Sequence, residues 1–596
     1  MGESPAPWTR LIPDALSVSK DMGNFENLGG ANRKAHETGH FAATFLSSPP
    51  GQGTDSFLKA ISVNVPARTG ATRIRTVAVI DVGATSIRMA IAEIQPGGTT
   101  RRLESLTQAV QLGKDAFTTS EISRTTVEEC VSVFRSYRRK LAEYGINRQE
   151  DIRVVATSAV REANNRITFL DRVFVATGLF IETLDEAEVH RVIYRGVQPL
   201  LRAQPALFKS RTMIIEVGGG NTELLTLVEG NVDLVHSFRL GSLRLAQTLS
   251  SYRVPRSKAR KIIEGEIHSQ LEPFADILHS NSETNMVAMG GDVRFAVEEI
   301  LKEPVSDSKL MAIELGVLAD FVNYVFSRSE EQLVNEFHLT YTEAETVGPA
   351  LLANLRMAQT LGVEKVLVCN INLRDGLIRD MAETRGSWSD DLQKQIIRST
   401  WELAHRYDVD QEHARNVAEL CRQLFRQLRK EHELEDRYET LLYVAAALHE
   451  TGGYINVSSM HKHSMYLIMN STLFGLTADD LQLVAMVARY HRRSMPKTAH
   501  QPYASMDRYR RVIVSKLAAI LRIAIALDAS RSQRIRQIEC RRVRNRIIIS
   551  VPSVDDLSVE QIAVRRSRLF FETIFGLEVQ LRTQAKSSPS IESTQL

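Results

Sequence analysis

Two stretches of this chain share one grammar. The run from Ile74 to Ile94 is rich in β-branched residues and is broken once, at Asp81-Val-Gly-Ala-Thr-Ser86. The run from Met213 to Val228 repeats the pattern: Met213-Ile-Ile215 enters Glu216-Val-Gly-Gly-Gly-Asn-Thr222, and Glu223-Leu-Leu-Thr-Leu227 leaves it. Each reads as strand, tight turn, strand. One such hairpin is ordinary surface structure. Two of them, about 135 residues apart, constrain the chain to two similar halves, each opened by a hairpin. Between them the pattern gives an amphipathic helix over Ser123 to Tyr144, a strand over Ile152 to Thr157 and a helix from Ala187 toward Val197. A strand and glycine pair at Met286 to Gly291 and a strand at Lys365 to Cys369 follow. Alternating strands and helices predict an α/β architecture, duplicated around a central cleft.

The 596 residues exceed those halves, since a domain takes about 100–200 residues. Residues 1–72 are rich in Gly, Ser, Pro, Asn and Thr without apolar periodicity, which predicts a disordered extension. The first lobe is expected over 73–196 and the second over 197–386. From 387 to 530 the period becomes helical, as in Ala414, Val417, Leu420, Cys421, Leu424 and Phe425 along one face. A small α+β module is expected over 531–582, then a polar tail over 583–596. With 43% hydrophobic and 24% charged residues, the composition is globular. Lys plus Arg (74) against Asp plus Glu (71) leaves +3, so any electrostatic preference is local. Cys130, Cys369, Cys421 and Cys540 lack metal-site or disulfide spacing and read as structural thiols of a reducing compartment. No apolar run approaches the ~20 residues that span a bilayer, and the first residues do not read as a signal peptide. A cytoplasmic protein without membrane partners is expected.

Turns of small residues gather backbone N–H groups into concave donor clusters that bind phosphate oxygens, because no Cβ blocks the approach. The acids before them, Asp81 and Glu216, repel phosphate and so are suited to holding hydrated Mg²⁺ or orienting water.

Four stretches carry a family likeness: Val79-Ile-Asp-Val-Gly-Ala-Thr-Ser-Ile-Arg-Met89, Ala156-Thr-Ser-Ala-Val-Arg-Glu-Ala163, Ile215-Glu-Val-Gly-Gly-Gly-Asn-Thr-Glu-Leu224 and Met289-Gly-Gly291. In order and spacing they resemble the signature stretches of the exopolyphosphatase and guanosine pentaphosphate phosphatase (Ppx/GppA) family, which has the actin-like (ASKHA) fold. The resemblance continues through Asn372-Leu-Arg-Asp-Gly-Leu377 and covers about Arg73 to Arg582. It implies Glu188 as the catalytic base that deprotonates the attacking water, with Glu186 as the alternative in register. It implies Gly83, Thr85, Ser86 and Arg88 of the first turn, and Gly219, Gly220, Asn221 and Thr222 of the second, as substrate-binding residues. Arg161 is implied as a phosphate clamp, Asp81 and Glu216 as Mg²⁺ ligands, and a homodimer as the assembly. The chain departs from the family's usual Asp, Ser and Asn at Glu216, Asn221 and Thr85.

His413, His449-Glu450, His461 and His463 lie in a region resembling an HD-type phosphohydrolase domain. Its expected later acid reads as Ile525, so no second metal centre is expected there. From Arg489 to Arg546, sixteen Lys and Arg stand against Asp507, Asp528 and Glu539. Such a stretch reads as a solvated face or a track for a polyanion, and its few aromatic rings argue against nucleic acid. The expected function is Mg²⁺-dependent release of terminal orthophosphate from inorganic polyphosphate, and also from guanosine pentaphosphate. The rivals are a non-catalytic polyphosphate or alarmone sensor and a kinase or ATPase of the same fold.

Overall fold

The computed structural model describes residues 74–583 except 252–255, 279–282, 307–308, 383–387, 493, 498, 553 and 555. The expected extension over 1–72 and the tail beyond Thr583 lie outside the described residues.

Five strands form the first sheet: β1 (Arg75–Val82), β2 (Ser86–Ile94), β3 (Thr100–Ala109), β4 (Ile152–Ala156) and β5 (Ile181–Thr183), in the order β3-β2-β1-β4-β5. The β1-β2-β3 part is antiparallel, while β4 and β5 run parallel to β1. The second sheet repeats this plan with β6 (Arg211–Val217), β7 (Thr222–Val228), β8 (Asn231–Phe238), β9 (Thr284–Met289), β10 (Met311–Glu314) and β11 (Lys365–Val368). Its order, β10-β11-β9-β6-β7-β8, matches the first strand for strand, with antiparallel β10 added at the edge. The two halves are therefore one topology used twice, the actin-like arrangement.

Both faces of the central strands β1, β4, β6 and β9 are covered, which is why they read as apolar runs, while the edge strand β3 is largely exposed. Alternate residues serve different cores. In β1, Ala78, Ile80 and Val82 pack with Phe134, Tyr137 and Phe169, whereas Val77 and Val79 face the cluster holding Val192 and Leu377. In β6, Met213, Ile215 and Val217 join the core of the second half, and Ile214 faces the shared cluster. Asp81 and Glu216 follow that same alternation, so both acids end the strand face turned to the shared cluster.

Chain order and packing part company at two places. The helix Glu186–Arg202 runs through the boundary expected at 196/197. The helix Leu373–Ala382, in the span expected for the second lobe, packs against β1, β2, β3 and the helix Glu186–Arg202. A Cβ on Gly376 would collide with the Val192 carbonyl oxygen, so this close crossing requires glycine.

Beyond residue 388 the chain is helical up to Leu527. A three-stranded sheet follows, β12 (Glu539–Val543), β13 (Arg546–Val551) and β14 (Glu578–Thr583), in the order β12-β13-β14, with the helix Ser558–Phe575 between its last two strands. Its buried Ile547, Ile549, Phe570 and Phe571 belong to the same core as Leu517 and Leu521. The terminal segment thus shares the helical region's interior. Among the described residues no helix is long and apolar enough to cross a membrane, and all four cysteines are free, three of them buried.

Candidate active site

The hairpin turns are built alike. Asp81 and Glu216 are each the last residue but one of their strand. In the first turn the Gly83 N–H donates to the Ser86 carbonyl at 3.0 Å, and in the second the Gly218 N–H donates to the Asn221 carbonyl at 2.9 Å. The turns abut, since a Cβ on Gly219 would stand 2.9 Å from the Ala84 Cβ. Three carbonyls of the second turn are tied from behind: Ser242 N–H donates to Gly218 (2.8 Å), Leu243 N–H to Gly219 (3.0 Å) and Arg244 Nε to Gly220 (3.0 Å). Arg244 is itself held by Glu162 at 2.9 Å and lies over the Phe117 ring. The N–H groups of Gly219 and Gly220 donate to nothing among the described residues. With its carbonyls fixed and its donors free, the turn offers the kind of backbone N–H cluster that suits an anion.

A cavity of about 250 Å³ opens at these turns. Asp81, Gly83, Thr85 and Arg88 line it from the first half; Glu216, Gly219, Gly220 and Asn221 line it from the second, and Arg161 and Ser158 from the short helix after β4. Arg161 is half-fixed: Nη1 donates to the Leu184 carbonyl (3.0 Å), and with the Asn221 amide turned to the orientation that satisfies its neighbours, Nη2 donates to the Asn221 amide oxygen (3.3 Å).

Three residues chosen from the sequence do not line the cavity. Ser86 is buried in β2. Thr222 is buried too and spends its hydroxyl on the Leu240 carbonyl (2.8 Å), holding the hairpin to the following loop. Glu188 closes a capping box at the start of the helix Glu186–Arg202. The Glu188 N–H donates to Asp185 Oδ1 (2.8 Å), and the Glu188 carboxylate accepts the Asp185 N–H (3.1 Å). Its neighbour Val189 does line the cavity, and burial pushes the Glu188 carboxyl up to about 7. Glu186 is exposed, with one oxygen 3.7 Å from Arg161 Nη2.

The register of the hairpins brings in residues that the sequence reading passed over. Asp81 stands opposite Arg88, but Glu216 stands opposite Glu223. Burial, and then the charges of Glu223 and Asp81, push the Glu216 carboxyl up to about 7. Glu223 Oε2 lies 2.8 Å from Nε2 of buried His190, and its Oε1 accepts from Ser237 Oγ (3.1 Å). Asp292, after the Gly290-Gly291 pair, also lines the cavity, and burial raises it to about 6. Arg374 Nη1 reaches Asp81 Oδ2 at 3.4 Å from the helix that crosses back to the first sheet. The sequence signals were present in Met289-Gly-Gly-Asp292 and Asn372-Leu-Arg-Asp-Gly-Leu377, but nothing short of the fold assigned those charged residues to this cavity.

Two family models match this chain. Residues 90–385 match the Ppx/GppA phosphatase family, and residues 397–563 match domain III of the Ppx/GppA phosphatases. The chain belongs to the Ppx/GppA phosphatase family. Similar solved structures include a Ppx/GppA family member from Aquifex aeolicus, 21% identical, covering 52% of this chain and 97% of that one with a TM-score of 0.43. Another is an exopolyphosphatase from Cytophaga hutchinsonii, 19% identical, covering 52% and 98% with a TM-score of 0.46. The first family match begins at Ala90, so the turn carrying Asp81 to Arg88 precedes it, and its equivalence to the second turn rests on the sheet topology.

In the domain III segment the reading that the later acid is lost at Ile525 is corrected by Asp528. This side chain is 1% exposed, and its Oδ2 lies 2.7 Å from His413 Nδ1. Asp528 caps the helix Arg508–Leu527 three residues after Ile525, so an acid does face His413 here. The basic stretch is also partly committed. Arg510 pairs with Asp479 and Asp507, Arg531 with Asp410 and Glu450, and Arg546 with Glu578. None of its described residues lines the cavity.

Proposed function

We propose that this Ppx/GppA phosphatase is an Mg²⁺-dependent exopolyphosphatase that releases terminal orthophosphate from inorganic polyphosphate, and that it also takes guanosine pentaphosphate. The observation carrying the proposal is the convergence of two matched small-residue turns, with free N–H donors and two arginines, on one cavity beside a carboxyl poised near neutrality.

The terminal phosphate sits on the Gly219 and Gly220 N–H groups, with Arg88 and Arg161 on its oxygens. Positioning and charge stabilisation of this kind supply most of the catalysis in phosphoryl transfer. Water attacks the terminal phosphorus in line with the bridging oxygen. The new P–O bond forms as the anhydride bond breaks, and the attacking water gives its proton to Glu188. General-base help of this kind contributes about 10²- to 10⁴-fold. To act, Glu188 exchanges the Asp185 N–H for water at the mouth of the cavity, and its pKa near 7 leaves about half of it ionised at neutral pH and most of it ionised above. The products are orthophosphate and a chain one unit shorter.

Asp81 and Glu216 fit a hard cation. They are carboxylates at matching strand ends, and the crowding of Glu216 by Glu223 and Asp81 is the repulsion a divalent ion relieves. When bound, Mg²⁺ supplies neutralisation of the phosphoryl oxygens. The family likeness also supports a cytoplasmic homodimer.

The test is phosphate release from long-chain polyphosphate and from guanosine pentaphosphate, with Mg²⁺ or chelator, in the parent and Glu188→Gln. Mg²⁺-dependent release that the variant loses while still binding polyphosphate supports the assignment. Saturable binding without release by the parent refutes it in favour of a sensor.

A further inference from the structure

The strongest cluster of ligating side chains outside the cavity lies in the helical region. His413, His449 and Glu450 bring ligand atoms within 4.8 Å of one another, the one such group among the described residues. His413 is 2% and His449 1% exposed. His413 is in the first turn of the helix Gln411–Gln427, and His449 is the C-cap of the helix Arg437–Leu448, with Glu450 next in sequence.

The ring nitrogens are sorted. His413 Nδ1 is bound to the buried Asp528 carboxylate at 2.7 Å, and His449 Nδ1 to the Ala446 carbonyl at 2.6 Å. Each acceptor places the ring proton on Nδ1 and leaves the Nε2 lone pair open. This is how a carboxylate or carbonyl behind the ring orients a metal-binding imidazole. His449 Nε2 is buried and has no hydrogen-bond partner. A buried polar atom without a partner is costly, and here it belongs to the one group of residues able to share an ion.

The surrounding field agrees. His449 and Asp528 are C-caps of the helices Arg437–Leu448 and Arg508–Leu527, and His491 lies just past the helix Ala478–Arg489 with its ring 5.1 Å from that of His449. Three helix C-termini, each bearing partial negative charge, thus converge here and favour a cation.

We propose that the helical region holds its own divalent metal ion, of the borderline Zn²⁺ class, on His413 Nε2, His449 Nε2 and the Glu450 carboxylate, with Asp528 orienting His413. Two imidazoles and a carboxylate suit such an ion, whereas Mg²⁺ prefers oxygen ligands alone. Three protein ligands leave a position for water. Glu450 is also tied to Arg531, a pair that yields when one carboxylate oxygen takes the ion, and bonds of about 2.0–2.2 Å would draw the three ligand atoms closer than the 4.8 Å within which they now lie.

The test uses full-length protein stripped with chelator and titrated with Co²⁺, then with Zn²⁺ in competition, following the visible Co²⁺ spectrum and the bound stoichiometry. The expected result is one equivalent per chain, displaced by Zn²⁺, lost in His449→Gln and in Glu450→Gln, and kept in the double variant Asp81→Asn/Glu216→Gln. Thermal unfolding checks that each variant is folded; if His449→Gln is not, Glu450→Gln at the half-buried carboxylate decides. No stoichiometric Co²⁺ in the parent, binding unchanged in Glu450→Gln, or loss in the cavity variant alone overturns the proposal. Because the readout is metal binding, it is independent of whether polyphosphate is the substrate.

Discussion

Gly241 touches no substrate in the proposed mechanism, yet Gly241→Ala is expected to disable it. Its N–H donates to the Gly220 carbonyl at 3.2 Å, and a Cβ there would meet the Gly220 carbonyl carbon and the Gly219 oxygen well inside the 3.0 Å that Cβ atoms do not cross. Ordinary contact starts at 3.4 Å. The neighbours are backbone, so no flexible side chain can yield, and the second turn must retreat by about 1 Å. A misplacement of that size at a reacting centre costs about 10²-fold, while overpacking of this kind destabilises by about 1–3 kcal/mol. The assay is initial phosphate release from long-chain polyphosphate, beside thermal unfolding. The expected result is a turnover loss of about two orders of magnitude in a protein that still unfolds cooperatively. Gly265→Ala is the control: it is exposed in a helix with nothing within 4 Å, so turnover stays unchanged and stability rises by up to ~1 kcal/mol. Gly241→Ala at parental turnover would refute the turn as the phosphate cradle.

Glu188→Gln keeps the capping box, because Gln serves at that helix position too, but it removes the base. Turnover should fall by about 10²- to 10⁴-fold with thermal stability unchanged, and the limb of the parent's pH-rate profile that rises to about pH 7 should vanish. Glu216 has a folded value near 7 against an ordinary 4.5, so the native state holds the extra proton between them. Its contribution is present below about 4.5 and is lost as pH rises through about 7. Urea unfolding in chelator should therefore show a decline in stability over that range which Glu216→Gln flattens. Buried Arg522 donates to the Tyr490 and Ser494 carbonyls and lies over the Phe570 ring. Arg522→Ala should destabilise by ~2–4 kcal/mol from orphaned carbonyls and the lost ring contact, read by denaturant unfolding.

Strand runs and turn chemistry are local, which is why both hairpins, the α/β alternation and the helical region were legible in the sequence. Partner choice is not local. Nothing in Leu373–Ala382 states that this helix covers the first sheet, and only Gly376 hints at a close crossing. Glu223 reads as one more strand residue until the β6–β7 register sets it against Glu216. Asp528 was passed over because spacing pointed to Ile525, three residues earlier. Glu188 could be picked by its place in the family pattern, but its capping role follows from Asp185 three residues before it.

The two hairpins share a topology but differ in one cross-strand pair, and that difference gives the halves separate tasks. In the first, Asp81 stands opposite Arg88 in the register and has Arg374 Nη1 at 3.4 Å, so cationic side chains flank it before any ligand arrives. In the second, Glu216 meets Glu223, and like charges directly opposite each other on a sheet are destabilising. His190 stands 2.8 Å from Glu223, and Arg294 and Arg88 partly offset the Glu216 charge, yet the carboxyl stays raised, so a proton or a cation relieves the pair further. The raised Glu216 carboxyl takes the proton in the metal-free protein, so a cation binding there must displace it, and binding tightens as pH rises toward 7. A Glu at this position carries its carboxylate one methylene farther from β6 than Asp would, so an ion bound there would sit farther from the strand.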